Sequence, residues 1–182
     1  MSALIQVAGL PRSGTAWVAM LLSLNPQCLA FHDLISTEPD WQKTIDLAHR
    51  KWKWVADCGT YQYAPKATHP NSIKIALIQD PEESRARANK AFNQDAVPGS
   101  YDYIDWVFAN WRRSNPSALS IRREDLWKDS TAARLIWEHA FGPDEKFPED
   151  KVRMLLQMQV QRIDPEIAFA ANSLSARTAN LF

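Results

Sequence analysis

LIQVAGLPRSGTAWVAMLLSL, residues 4–24, is the stretch on which the architecture turns. LIQVA is a short apolar run that stops at Gly9, and TAWVAMLLSL after Gly14 has helical length with apolar side chains at helical spacing. The unit therefore reads strand, loop, helix. Gly9 and Gly14 have the spacing of a phosphate-binding loop, but Thr15 and Ala16 stand where a nucleoside triphosphatase carries lysine and then serine or threonine. That lysine reaches the β and γ phosphates and the following hydroxyl ligates magnesium, so both functions are missing. The cation is Arg12, two residues before Gly14, with the hydroxyls of Ser13 and Thr15 beside it. Backbone amides of such a loop attract an oxyanion, and phosphate or sulfate fits equally. The pattern predicts an anion cradle that works without metal.

Outward from this unit, apolar runs and helical stretches alternate. CLAF (28–31) reads as a strand that ends at the polar pair His32 and Asp33, where open α/β sheets bind ligands. A helix is predicted over 39–53, a strand at WVADC (54–58), a loop over 59–72 and a strand at SIKIALI (72–78). Asp80-Pro81 then opens a helix whose acidic start and basic continuation suit the helix dipole. A loop over 93–100, a helix at 101–113 and a strand at SALSIR (117–122) follow. Two amphipathic helices close the chain, the first with Ser130 or Thr131 as its cap and Gly142 as its stop, the second running from Pro148 to about Ile163. The alternation predicts one α/β domain over 1–182, a three-layer α/β/α arrangement around a mostly parallel sheet with a nucleotide-binding loop of P-loop type.

Composition narrows the partners. The 182 residues suit one domain with a well-buried core. With 21 basic and 21 acidic residues, the charge balance gives no pointer to bulk nucleic acid or an anionic membrane, so an anion site must be local. Apolar runs near the start are far shorter than the ~20 residues needed to span a bilayer. Cys28 and Cys58 fall in predicted strands, with no cationic and apolar leader before them, and predict free thiols in a reducing cytoplasm.

GLPRSGTAW resembles the 5′-phosphosulfate loop of the sulfotransferase family, written there PKSGTTW or PRSGTTW, with Ala16 as the departure. The resemblance extends over residues 4 to about 160. It implies 3′-phosphoadenosine 5′-phosphosulfate as donor, adenosine 3′,5′-bisphosphate as product and no metal. Pro11, Arg12, Ser13, Gly14, Thr15, Ala16 and Trp17 would hold the 5′ end, and Arg12 would stabilise charge on the bridging oxygen. Ala16 forgoes one hydroxyl contact, worth about 1 kcal/mol. NPQCLAFHD is similar to the segment after the family's first helix, which makes Asp33, with His32 close behind, the general base for an acceptor hydroxyl. VADCGT resembles the stretch after the family's third strand, with Cys58 in a lysine's place and Asp57 as an orienting or capping group.

IQDPEESRAR departs most. The family's Arg-Asp-Pro, with a serine eight residues after the arginine, grips the 3′-phosphate; here Gln79 replaces the arginine and Arg87 the serine. Arg87, with Ser84 or Arg85 beside it, is the expected substitute; the same arginines also fit a solvated helix face. LSIRREDLWKDS is similar to the family's strand and Glu-Asp-Leu turn and is expected to be structural. Sulfuryl transfer to a hydroxyl or amine is the leading expectation. A kinase-like phosphotransferase and a non-catalytic binding module that retains the fold are the alternatives.

Overall fold

The computed structural model describes residues 3–34, 39–59, 71–92 and 100–157. Five strands, β1 (Ala3–Gly9), β2 (Cys28–His32), β3 (Trp54–Gly59), β4 (Ile73–Ile78) and β5 (Leu119–Arg122), form one sheet in the order β2-β3-β1-β4-β5. Every neighbouring pair is parallel. Six α-helices accompany them: α1 (Thr15–Leu22), α2 (Trp41–His49), α3 (Pro81–Phe92), α4 (Ser100–Ser114), α5 (Thr131–Phe141) and α6 (Glu149–Gln157), with a 3-10 turn at Arg123–Trp127. The α/β class is as the alternation predicts, and the sheet is parallel throughout.

Strand periodicity divides the core into two faces. Ile5 and Val7 of β1, Ala56 and Cys58 of β3, and Ile75 and Leu77 of β4 pack with α1, α5 and α6. The alternate residues turn the other way: Leu4, Leu29, Phe31 and Val55 meet Trp41, Ile45 and Ala48 of α2. Ala8 and Ala76 meet Val107, Phe108 and Trp111 of α4, joined by Leu10 from the loop after β1. Strands covered on both faces are apolar almost throughout, which is why LIQVA carries one polar residue. Gln6 is buried and its Oε1 accepts a hydrogen bond from Ser72 Oγ at 2.5 Å, as a buried amide requires.

Several boundaries differ from those expected. α2 runs over Trp41–His49 rather than 39–53, and β5 begins at Leu119 rather than 117. Ser130 occupies the cap position of α5, but its hydroxyl donates to Glu149 Oε1 and Asp129 Oδ1 accepts from the Thr131 amide instead. Gly142 ends that helix at φ 92°, a positive φ that glycine adopts without a Cβ penalty. Most of the expected 59–72 and 93–100 loops, and the last helix beyond 157, lie outside the described residues.

The strand order locates the cleft. β1 is followed by a connection to β2 on one side, and β4 by a connection to β5 on the other. The crevice of an open parallel sheet lies at the carboxyl ends of two such neighbours, here β1 and β4.

Candidate functional site

The loop Leu10–Gly14 leaves β1 at that crevice. Arg12 has φ 64° and Gly14 φ 103°, with Ser13 between them. Alternating left-handed residues turn successive amides toward one side, the geometry of a backbone nest. The loop's carbonyls are drawn elsewhere. Pro11 O accepts from Gln79 Nε2 and from Ser84 Oγ, both at 2.7 Å, and Arg12 O accepts from Arg123 Nε at 3.0 Å. In a planar trans peptide the next N–H points opposite to its carbonyl, so these braces aim the Arg12 and Ser13 amides away from them. Ser13 N closes the turn on Leu10 O at 3.1 Å.

Helix α1 begins on Gly14 without a side-chain cap and without an acidic residue in its first turn. Among the described residues, the amides of Gly14, Thr15, Ala16 and Trp17 have no hydrogen-bond partner. Four orphan donors and the positive end of a helix dipole therefore meet at one point. The Arg12 guanidinium is half-buried and makes no hydrogen bond or ion pair with any described residue. Its side chain is the cation of the loop, as the sequence pattern expects.

Packing holds the loop closed. A Cβ on Gly9 would collide with the Ser13 side chain, and one on Gly14 would lie 2.8 Å from Leu126 and 2.9 Å from the Trp127 ring. The 3-10 turn after β5 thus lies against the second glycine. Ser13 Oγ is fully buried under the loop against Gly9, without a hydrogen-bond partner among the described residues. Trp17 is buried in the core, its ring 6.3 Å from that of Trp127, and its Nε1 also has no such partner. Its contribution at the cleft is its backbone amide.

Thr15 joins the loop to the end of β2. Its Oγ1 lies 3.1 Å from His32 Nε2, which lies 3.5 Å from Asp33 Oδ2. The His32 and Asp33 side chains are 29% and 31% exposed, so a solvent-borne group reaches both. Asp33 has φ 58°; it and Arg12 are the described non-glycine residues with positive φ. Left-handed backbone at a non-glycine residue costs energy, and such strain concentrates at functional sites. The Asp33 amide donates to Cys58 O at 3.0 Å, and a Cβ on Gly59 would collide with the Asp33 carboxylate. Buried Asp57 accepts from the Leu34 amide through Oδ1 at 3.1 Å. It thereby ties the segment just after Asp33 to β3.

The residues expected at the far end of the donor are arranged as a support. Ser84 is buried and holds Pro11 O, and so does Gln79. Arg87 NH1 donates to Gln79 Oε1 at 2.9 Å and NH2 pairs with Glu83. Arg85 pairs with Asp102 at 2.6 Å, away from the loop. Sequence reasoning passed over Arg123, which it placed in a structural turn. The available signal was a cation at the carboxyl end of a strand in a parallel sheet, where ligands bind.

The thiols are poor nucleophiles. Burial pushes Cys28 up to about 12. Cys58 rises well above its ordinary value, first through burial and then through Asp57, Cys28 and Asp33. Such thiols stay protonated and inert near neutrality. Among the described residues there is no group of three or more His, Cys, Asp or Glu side chains that could hold a metal ion, and no helix long and apolar enough to cross a membrane.

No protein-family model matches the chain, and no curated protein matches it.

Proposed function

We propose that the protein transfers a sulfuryl group from 3′-phosphoadenosine 5′-phosphosulfate to a hydroxyl or amine acceptor, with Arg12 in place of a metal. One observation carries this reading: the Arg12 guanidinium and the four amides of Gly14 to Trp17 that follow it have no partner among the described residues, and Thr15 at the start of α1 touches His32 beside Asp33. The residues fit an anionic ligand, since the donors at Gly14–Trp17 lack acceptors among the described residues and no acidic residue stands in the first turn of α1. The donor, when bound, supplies an activated sulfuryl group and a leaving phosphate.

Each residue has a task set by its chemistry. The amides of Gly14 to Trp17 bind the 5′ end. Arg12, fixed by its strained backbone, holds positive charge where the leaving oxygen becomes negative, and such preorganised charge counts most in the transition state. Asp33 accepts the acceptor's proton on its carboxylate, with His32 Nε2 beside it. His32 also touches Thr15, so the anion-binding end of α1 and the base are held next to each other. The buried, free thiols suit a reducing cytoplasm.

The test is transfer of labelled sulfate from the phosphosulfate donor to a panel of hydroxyl and amine acceptors, with and without a magnesium chelator. Turnover is expected to survive chelation and to fall by on the order of 10²–10³-fold in Arg12→Ala, at an unchanged melting temperature. A strict magnesium requirement with nucleoside triphosphate turnover would instead mark a phosphotransferase. Binding of adenosine 3′,5′-bisphosphate with no transfer to any acceptor would mark a binding module.

A further inference from the structure

Helix α4 covers the sheet unevenly. Its buried residues Val107, Phe108 and Trp111 pack on Ala8 of β1 and Ala76 of β4. β5 is the edge strand, and its Leu119 and Ile121 pack toward the opposite face. By strand alternation it turns Ser120, in register with Ala76, toward α4. A hydroxymethyl and the methyl of Ala109 are too short to fill the space between strand and helix. A cavity of about 370 Å³ results, with Ala76, Ala118 and Ser120 on the strand side and Ala109, Arg112 and Arg113 on the helix side.

The helix side of this cavity is cationic. Between Asp105 and Glu124 the chain has four arginines and no acidic residue. Arg112 is exposed and makes no hydrogen bond or ion pair with any described residue. Arg113 donates to Asn110 Oδ1, a neutral amide that leaves its charge unbalanced. Basic side chains in a last helical turn often serve the end carbonyls. Here Asn115, which also lines the cavity, does so: its backbone amide donates to Arg112 O at 3.1 Å and its Nδ2 to Trp111 O at 2.7 Å. Both guanidinium groups are therefore left over for something else, and the Ser120 hydroxyl has no partner among the described residues either.

We propose that this cavity binds a small aromatic carboxylate, at a site separate from the loop between Gly9 and Gly14. Alanine methyls on both walls accept a flat apolar ring, and a guanidinium pairs with a carboxylate through two parallel hydrogen bonds or stacks on a ring face. The Ser120 hydroxyl donates to the same carboxylate. A volume at the small end of ligand pockets suits one fused-ring acid. The site uses none of the residues that carry the sulfuryl-transfer reading and does not depend on it.

Calorimetric titration of the full chain with naphthoate, beside its uncharged amide, tests this. Wild type is expected to bind naphthoate saturably at a single site and the amide roughly tenfold more weakly, the difference made by charge-assisted contacts. The double variant Arg112→Gln/Arg113→Gln should lose a similar factor for naphthoate and treat the two ligands alike. Ser120→Leu fills the cavity from the exposed edge strand, Ala109→Leu fills it from the exposed side of the helix, and each should abolish binding without lowering the melting temperature. Arg12→Ala should leave naphthoate affinity within about twofold, as for a distant site. The assignment is overturned by equal wild-type affinity for acid and amide, by absence of saturable binding, or by binding that persists in a folded filled variant. Loss of naphthoate binding in Arg12→Ala overturns it too, since the anion would then sit at the loop. None of these outcomes bears on sulfuryl transfer, which the labelled-sulfate assay decides.

Discussion

Helices α1 and α3 leave adjacent strands at the same edge of the sheet, and their first turns are opposites. α3 is self-sufficient: Asp80 Oδ1 accepts from the Glu83 amide at 3.0 Å, Pro81 needs no acceptor, and Glu82 and Glu83 balance the dipole. α1 starts on a glycine, has no acidic residue in its first turn and leaves four amides without partners among the described residues. The difference shows which of two superficially equal helix ends keeps donors without acceptors among the described residues, the condition the proposed anion site needs. It also assigns a division of labour, since residues around the start of α3 reach across to hold the loop that precedes α1.

The sharpest way to break this contrast is Gly14→Ala. The left-handed φ and the collision with Leu126 and Trp127 should together cost about 2–4 kcal/mol. Thermal melts would show a drop of roughly 5–15 °C, and nucleotide binding would weaken with it. An unchanged melting curve would mean that the loop does not need this backbone.

Gln79→Leu separates a brace from a ligand contact. It removes one of two donors to Pro11 O and the acceptor for Arg87 NH1, for a loss of about 1–2 kcal/mol. Calorimetry should find adenosine 5′-phosphate and adenosine 3′,5′-bisphosphate weakened to the same degree, because the loop as a whole is loosened. A selective loss of the bisphosphate would return Gln79 to the 3′-phosphate site.

Asp80→Ala is expected to do least. Removing the cap of α3 should lower stability by about 1 kcal/mol and leave nucleotide affinity within about twofold, which a denaturant titration beside calorimetry would register. Tighter anion binding in this variant would show that capping alone distinguishes the two helices.

Much of this was legible along the chain because it is local. A glycine that ends an apolar run, an arginine before a second glycine, and a polar pair after CLAF are each settled by neighbours a few residues away. Even the self-capping of α3 is written in Asp80-Pro81-Glu82-Glu83. Boundaries are less legible: the sequence offers Ser130 or Thr131 as the cap of α5, but the Ser130 hydroxyl turns to Glu149, nineteen residues on, and Asp129 takes the Thr131 amide.

The sequence by itself determined the alternation of strands and helices, the loop between Gly9 and Gly14 and the cation within it, since backbone preference and hydrophobic period act over short spans. Tertiary structure alone decided the strand order that opens a crevice between β1 and β4, the turning of Gln79 and Ser84 onto Pro11 O, and the arrival of Arg123 at Arg12. Those choices depend on which carbonyls each long polar side chain can reach once the sheet has formed, and partners 68 to 111 residues apart leave no local trace.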